Sequence, residues 1–228
     1  MFEFRFYEIW RSPEYIETIL SGCFNSFWLS LLGGVLGFGM GLGMALTQLP
    51  GGNRLFRAAS IGYIEVVRNT PFIVQLFFVA FGLPLLLGLN WSFEVSALLA
   101  MTLNFSAYFA EVIRAGLEAV KKGQYEASQS LSLTPKQGIF HVVLPQALAN
   151  VWPSLSSQFV FLFLTTGLIS EIGVEDLTWA GRFVADRTFR DFEVFIVLTV
   201  LYMAMAFLFL GSFQLLKRII FPWWGKRT

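Results

Sequence analysis

Three short polar arrays interrupt an otherwise apolar sequence of 228 residues. Asn104, Tyr108 and Glu111 recur at i, i+4 and i+7, on one face of a helix otherwise filled with Leu, Ala and Phe. Ser154, Gln158 and Thr165 repeat the pattern at offsets 0, 4 and 11. Arg68-Asn69-Thr70-Pro71 stands four residues before Gln75. A proline disfavours helix in the residue before it, so Arg68 is expected in a break, with Thr70 capping a helix that begins at Pro71. Polar groups at membrane depth are costly against lipid and face a bundle interior or an aqueous path. Two polar faces on neighbouring helices therefore imply a shared hydrophilic pathway. The plainer alternative makes Glu111 an ion-pair partner of Arg114 at i+3 and Arg68 a charge that sets topology. Enzymatic chemistry lacks its residues. The single histidine, His141, has no metal or triad partner, the single cysteine, Cys23, permits neither a disulfide nor a cysteine-cluster zinc site, and no Walker-type phosphate loop exists. The expectation is a chain with no catalytic residue and no metal, unable to use ATP alone.

The elements that carry these arrays follow from where charge is missing. Only 14% of residues are charged, against about 25% in soluble domains, while 56% are hydrophobic and mean hydropathy is +0.65. A net charge of +1 gives no argument for nucleic acid as a partner. Charge-free windows cover 18–53, 69–93, 95–110, 137–170 and 194–216. About 20 apolar helical residues cross the hydrocarbon layer, so four windows each suffice for one span. The 16-residue window 95–110 needs extension through Glu111 towards Leu117. The expected fold is all-α, a polytopic membrane protein of five transmembrane helices in one domain, 1–228. The spans lie at about 19–47, 71–89, 94–117, 145–169 and 194–216, with a polar loop at 118–143. Segments 1–17, 94 and 171–193 hold 5 basic and 11 acidic residues; 54–68, 111–136 and 217–228 hold 11 basic and 4 acidic. The basic side is expected to be cytoplasmic, placing the N-terminus out and the C-terminus in. Lys217, Arg218, Lys226 and Arg227, with Trp223 and Trp224, read as an interfacial anchor, and the acidic N-terminus does not read as a cleaved signal peptide. In the first span Gly33, Gly37 and Gly41 recur every four residues, which lets another helix approach closely.

The loop after the third span carries most information. The third helix is expected to end at Lys121-Lys122-Gly123, and 124–131 fits a short amphipathic helix too polar for lipid, suited to docking on a soluble partner. Thr134-Pro135 starts another turn, and Leu144-Pro145 opens the fourth span. This stretch resembles the EAA loop of the permease subunits of ABC importers: Glu-Ala-Ala, three residues, Gly, nine residues, Ile, one residue, Leu-Pro. Here it reads Glu126-Ala127-Ser128, then Ser132 in place of Gly, Val142 in place of Ile, and Leu144-Pro145. The sequence is similar, more narrowly, to permeases of the polar-amino-acid uptake family. Arg68-Asn69-Thr70-Pro71-Phe72-Ile73-Val74-Gln75 fits their Arg-x-Thr-Pro-x-x-Val-Gln motif. The third-span residues Asn104, Ala107-Tyr108 and Glu111 running into Ile113-Arg114-Ala115-Gly116 are family-like, as are 172–177, Thr188-Phe189-Arg190 and Phe192-Glu193. The likeness covers about residues 15–220. It departs at Leu164, where the family often has Lys, and at Glu171, where an apolar residue is more usual.

The resemblance implies an ATP-driven importer of a polar amino acid in the bacterial inner membrane, working by alternating access. The partners it implies are ABC ATPase subunits that hold the ATP and Mg, a second permease chain (copy or paralogue), an extracytoplasmic amino-acid-binding protein and the lipid bilayer. It implies no cofactor on this chain. Glu126, Ala127, Ser128, Ser132, Leu144 and Pro145 would couple to the ATPase. Arg68 and Glu111 are the charged pathway candidates, for the carboxylate and ammonium of the solute, with Gln75, Asn104, Tyr108, Gln158 and Thr166 adding hydrogen bonds and Glu171 near the path. The 171–193 loop and the N-terminal segment are the surfaces expected to receive the binding protein. The competing reading is a secondary transporter or channel subunit for a small polar solute without an ATPase, in which the EAA-like loop has no purpose.

Overall fold

The computed structural model describes residues 4–224, so Lys226 and Arg227 of the expected anchor lie outside it. Among the described residues there are helices and turns and no strand. A short α1 (Tyr7–Trp10) precedes α2 (Pro13–Thr47), α3 (Arg54–Arg68), α4 (Phe72–Phe77), a π-helical turn (Phe78–Gly82), α5 (Leu83–Leu87) and α6 (Phe93–Glu118). Then come α7 (Lys122–Ser130), α8 (Pro135–Gln137), a second π turn (Gly138–Val143), α9 (Leu144–Thr165), a 3₁₀ segment (Thr166–Ile172), α10 (Leu177–Thr188) and α11 (Asp191–Ile220). Among the described residues, four helical stretches are long and apolar enough to cross a membrane: α2, α6, Pro135–Ile172 and α11. A fifth crossing requires α3 and Phe72–Leu87 together, a pair bent by 107°.

Helix ends follow local chemistry. Asn53 caps α3 by accepting from the Leu55 N–H at 2.8 Å, and Asp176 caps α10 through Trp179 at 2.8 Å. Thr134 and Gln137 form a reciprocal capping box at α8. Asp176 is fully buried in the turn before α10, and burial pushes its carboxyl up to about 6 against the hydrogen bonds that favour the charge.

Several expected boundaries shift. The first span starts at Pro13, six residues before the expected 19, because proline opens a helix at no hydrogen-bond cost. The segment 54–68, read from its charge only as part of the basic side, is a capped helix whose Ser60 and Ile64 are buried. The expected second span corresponds to the contiguous helical path Phe72–Leu87, and the 107° bend lies before it, between α3 and α4. Pro71, not Thr70, holds the cap position of α4, and Thr70 instead donates back to the Val66 carbonyl at 3.0 Å. Leu144-Pro145 does not open the fourth span but lies inside it, after a π turn. Both π turns end two residues before a proline, at Gly82 before Pro84 and Val143 before Pro145. The wider turn relaxes the backbone where proline offers no N–H, so the helical path continues. The acidic stretch 171–193 contains α10. The third span, by contrast, falls within a residue of expectation at each end, with Ser92 as its cap.

Packing centres on α6, which buries thirteen residues. Gly33, Gly37 and Gly41 of α2 meet it: a Cβ on Gly33 would lie 3.3 Å from Met101, one on Gly37 3.4 Å from the Ser106 nitrogen, and one on Gly41 2.7 Å from the Ser106 carbonyl. Gly39 and Gly43, offset from that row, face open space. The other half of the core is aromatic. Phe159, Phe163 and Phe27 surround Phe209 with ring centroids 5.1 Å apart, each pair worth about 1 kcal/mol beyond simple burial.

Candidate functional site

The break between α3 and α4 is held by one glutamine. Gln75, one turn into α4, donates to the Val67 carbonyl at 2.8 Å and to the Thr70 hydroxyl at 2.5 Å. Its own carbonyl oxygen accepts from the Asn104 amide at 2.9 Å. Gln75 thus satisfies a carbonyl freed at the end of α3 and ties the bend to the middle of α6. Asn104, 3% exposed, spends its amide on that tie.

Beside the break lies a cavity of about 710 Å³, lined by Arg68–Phe72, Asn104, Phe105, Tyr108, Phe161, Leu164, Thr165 and Leu168. Arg68 is its one charged lining residue. The guanidinium lies 5.7 Å from the Tyr108 ring centroid, a cation–π contact. It also lies 3.9 Å from the Glu111 carboxylate, and its side chain is 38% exposed. A partly exposed guanidinium beside an aromatic ring, with Phe161, Leu164 and Leu168 along one side, can hold a carboxylate through charge-assisted hydrogen bonds.

The predicted residues do not all meet there. Arg68, Asn104 and Tyr108 line the cavity, and Gln75 braces it from behind. Glu111 turns the other way. Arg114 grips it through Nε at 3.1 Å and Nη2 at 2.5 Å, and the pair lines a second cavity of about 870 Å³ with Arg57, Glu65, Glu118, Lys122 and Tyr125. Arg114 also binds Glu118 at 2.6 Å. Glu111 is thus an ion-pair partner, as the plainer reading had it, and reaches the first cavity only through Arg68. Thr166 is fully buried and donates to the Phe163 carbonyl, while its neighbour Thr165, the residue on the polar stripe, lines the cavity. The Gln158 amide nitrogen is buried without a partner, away from the cavity lining. Glu171 pairs with Arg182 outside the lining. Of the apolar wall, the sequence singles out only Leu164; it does not single out Phe161 and Leu168, although they share the helical face of Thr165 at spacings of four and three and could be found from it.

The loop 118–143 forms the expected projecting helix, two residues earlier than 124–131. On α7, Lys122 and Glu126 are exposed and lie 3.5 Å apart, and Ala127 is exposed beside them. Ser128 is buried, donating to the Tyr125 carbonyl, and a Cβ on Gly138 would come within 2.8 Å of its hydroxyl. The small residue in the third motif position is therefore a close-packing contact between α7 and the start of the next span. Tyr125 lies against the α6 end, where burial pushes its phenol up. Leu144 is buried and Pro145 half-buried, at the root of the loop.

Ser132 occupies left-handed backbone at φ +56°. It follows α7 where the Leu133 N–H reaches the Ser128 carbonyl at 3.2 Å, an arrangement that favours glycine. Ser132→Gly is therefore expected to raise stability by about 1 kcal/mol, read as a higher thermal midpoint in detergent. A lower midpoint would contradict the assigned turn.

With this geometry in hand, comparison with known proteins is specific. The family described as binding-protein-dependent transport system inner membrane component matches residues 25–221. The L-cystine transport system permease protein of Bacillus subtilis is 32% identical over 91% of this chain and 89% of its own. The glutamine transport system permease protein of Escherichia coli is 31% identical over 88% and 90%. Among solved structures, a chain of an amino acid ABC transporter crystallised with histidines superposes with a TM-score of 0.83 at 32% identity, covering 95% of this chain and 99% of that one. A methionine ABC transporter in an inward-facing conformation shares the fold, with a TM-score of 0.77 at 19% identity. The chain belongs to the inner membrane components of binding-protein-dependent transport systems, among the permeases of amino-acid ABC transporters.

Proposed function

We propose that this chain is the membrane-spanning subunit of an ATP-driven importer that receives a polar amino acid from an extracytoplasmic binding protein and releases it into the cytoplasm. In this reading residues 1–228 form one domain that crosses the inner membrane five times, the bent α3–α4–α5 path being the second crossing. The N-terminus is outside and the C-terminus inside. ATP and Mg sit on separate ATPase subunits, and a second permease chain, copy or paralogue, completes the pathway.

The observation that carries the reading is α7: a short, polar, exposed helix bearing Glu126-Ala127-Ser128 and fastened to the membrane domain by the Ser128–Gly138 contact. Its inner face packs on Gly138 and the end of α6, while its outer face, with Lys122, Glu126 and Ala127, is exposed and is shaped to sit in a groove on an ATPase. Closure of the ATPase dimer would move α7, and Gly138 would pass that motion into Pro135–Ile172, which lines the Arg68 cavity through Phe161–Leu168. The fold then behaves as a two-state element biased by nucleotide. Arg68 would pair with the α-carboxylate of the solute, with Asn104, Tyr108 and Thr165 near its polar groups. Gln75 would hold the break that presents Arg68. The Glu111–Arg114–Glu118 network and the second cavity would lie on the exit side.

The test is copurification of the chain with a soluble ATPase, followed by charge reversal on the exposed face of α7. Glu126→Lys is expected to cut ATP-driven uptake by about tenfold or more, as loss of a buried interfacial charge pair does, with ATP hydrolysis no longer linked to transport. Uptake at the unmodified rate would remove α7 from the coupling role.

A further inference from the structure

The larger of the two cavities holds more polar chemistry than its own ion pairs use. It shares no lining residue with the Arg68 cavity, and its walls come from α2, α3, α6 and α7. Three basic residues, Arg57, Arg114 and Lys122, face it together with three acidic ones, Glu65, Glu111 and Glu118. Most of that charge is spent within the chain. Arg114 holds Glu111 and Glu118, and Lys122 lies 3.5 Å from Glu126. Arg57 has no ion-pair or hydrogen-bond partner among the described residues. The Glu65 carboxylate accepts only from the Asn69 amide, at 3.3 Å.

The two unspent charges stand in register. Arg57, Ile61 and Glu65 follow one another at i, i+4 and i+8 on α3, and all three line the cavity. Eight helical residues span about 12 Å, so the cation and the carboxylate stand apart with an apolar side chain between them. A third group is also unmet. The Gln48 amide nitrogen, at the end of α2, is buried in the same lining with no hydrogen-bond partner. A buried donor left this way costs stability unless something accepts from it. A simple anion would meet three carboxylates here, and a simple cation three basic groups. A small molecule carrying both charges avoids both conflicts.

We infer that this cavity is a second binding site, for a free amino acid that enters from the cytoplasm and restrains α7. The carboxylate of the amino acid pairs with Arg57 and accepts from Gln48, its ammonium pairs with Glu65, and its side chain lies on Ile61. The occupant bridges α3 to α7, whose Lys122 and Tyr125 form part of the lining. Because it binds one arrangement of α7 more tightly than the other, it slows the movement that drives import. Accumulated product thus limits its own uptake. The inference rests on the importer reading, which puts this cavity on the cytoplasmic side.

The test uses proteoliposomes holding the permease chains and ATPase, with ATP inside and amino-acid-loaded binding protein outside. Initial uptake is measured for each standard amino acid, and the transported one is then enclosed, unlabelled, with the ATP. Enclosed amino acid is expected to slow initial uptake about fivefold at saturation. Its carboxamide, which lacks the carboxylate, should leave the rate unchanged. Arg57→Ala should raise the half-inhibitory concentration about tenfold or more, and Gln48→Leu about threefold, each read against the same variant with ATP alone inside. Uptake indifferent to enclosed amino acid, or inhibition unchanged in both variants, overturns the site. Equal inhibition by the carboxamide overturns the pairing with Arg57. Phosphatidylethanolamine carries the same two charges on its headgroup, so vesicles are made with and without it. Uptake set by that lipid and not by enclosed amino acid overturns the free amino acid as the occupant. An absence of uptake with ATP alone inside contradicts the importer reading itself.

Discussion

Arg68→Ala is expected to lower ATP-driven amino-acid uptake by about a hundredfold, because the carboxylate proposed to bind there would lose a charge-assisted hydrogen-bond pair worth about 3 kcal/mol. The size of the effect follows from the lining. Arg68 is the one charged residue among those that line the 710 Å³ cavity, and Leu164 opposite offers no second cation. Arg68→Lys keeps the charge but not the planar fork, and should recover part of the rate. The measurement is uptake of radiolabelled amino acid into proteoliposomes, with the thermal midpoint of each variant as the control for folding. Normal uptake in Arg68→Ala would leave the cavity without a substrate role.

Gly41→Val carries the largest expected effect on stability. Its Cβ would lie 2.7 Å from the Ser106 carbonyl oxygen and 2.9 Å from the Ala110 nitrogen, both backbone atoms of α6 that cannot turn aside. The two helices would have to separate along their shared face. In lipid that face is held by close packing, with no hydrophobic drive to restore it. A loss of about 3 kcal/mol is expected, read as a collapse of the thermal midpoint and of membrane yield. Gly39→Ala and Gly43→Ala provide the contrast, since a Cβ at either position meets nothing within 4 Å. Both should stay within about 0.5 kcal/mol of the unmodified protein. Equal damage at all three positions would show that glycine flexibility, rather than the α2–α6 contact, is what matters in α2.

The sequence was legible where a single physical rule dominates. The period-four glycines named the packed face of α2, though not its partner, because small residues on one face say nothing of which helix approaches it. Charge-free length located α6 and α11 closely. In the 71–89 window the helical path runs Phe72–Leu87, and the 107° bend falls before it, at the break expected beside Arg68; what the sequence did not show is that 54–68 is itself helical. The rule failed where two effects compete. At Leu144-Pro145, proline alone predicts a start, but the preceding π turn carries the helix through.

The candidate site divides in the same way. Asn104 and Tyr108 of the stripe line the cavity, while Glu111, one turn on, is claimed by Arg114 and faces the second cavity. Helical spacing gives a common face, but a competing ion pair decides which way the side chain turns. Thr166 and Thr165 differ by one residue and hence by about 100° around the helix, which is enough to bury one and expose the other to the cavity. Phe161 and Leu168 of the wall were hidden because apolar residues in a membrane helix carry no individual signal; Leu164 stood out only as a position where the family often has Lys. On α7, the third motif position proved to be an inward packing contact, a role that sequence spacing alone cannot separate from an outward docking one.

This chain is expected to move an amino acid only when an ATPase drives it. The most direct measurement is uptake of a panel of radiolabelled amino acids into proteoliposomes containing the permease chains, with ATPase, ATP and binding protein each omitted in turn. Uptake that requires all three, and that is lost with Glu126→Lys, is the predicted result. Uptake that persists without ATP or ATPase and follows an ion gradient would contradict the account.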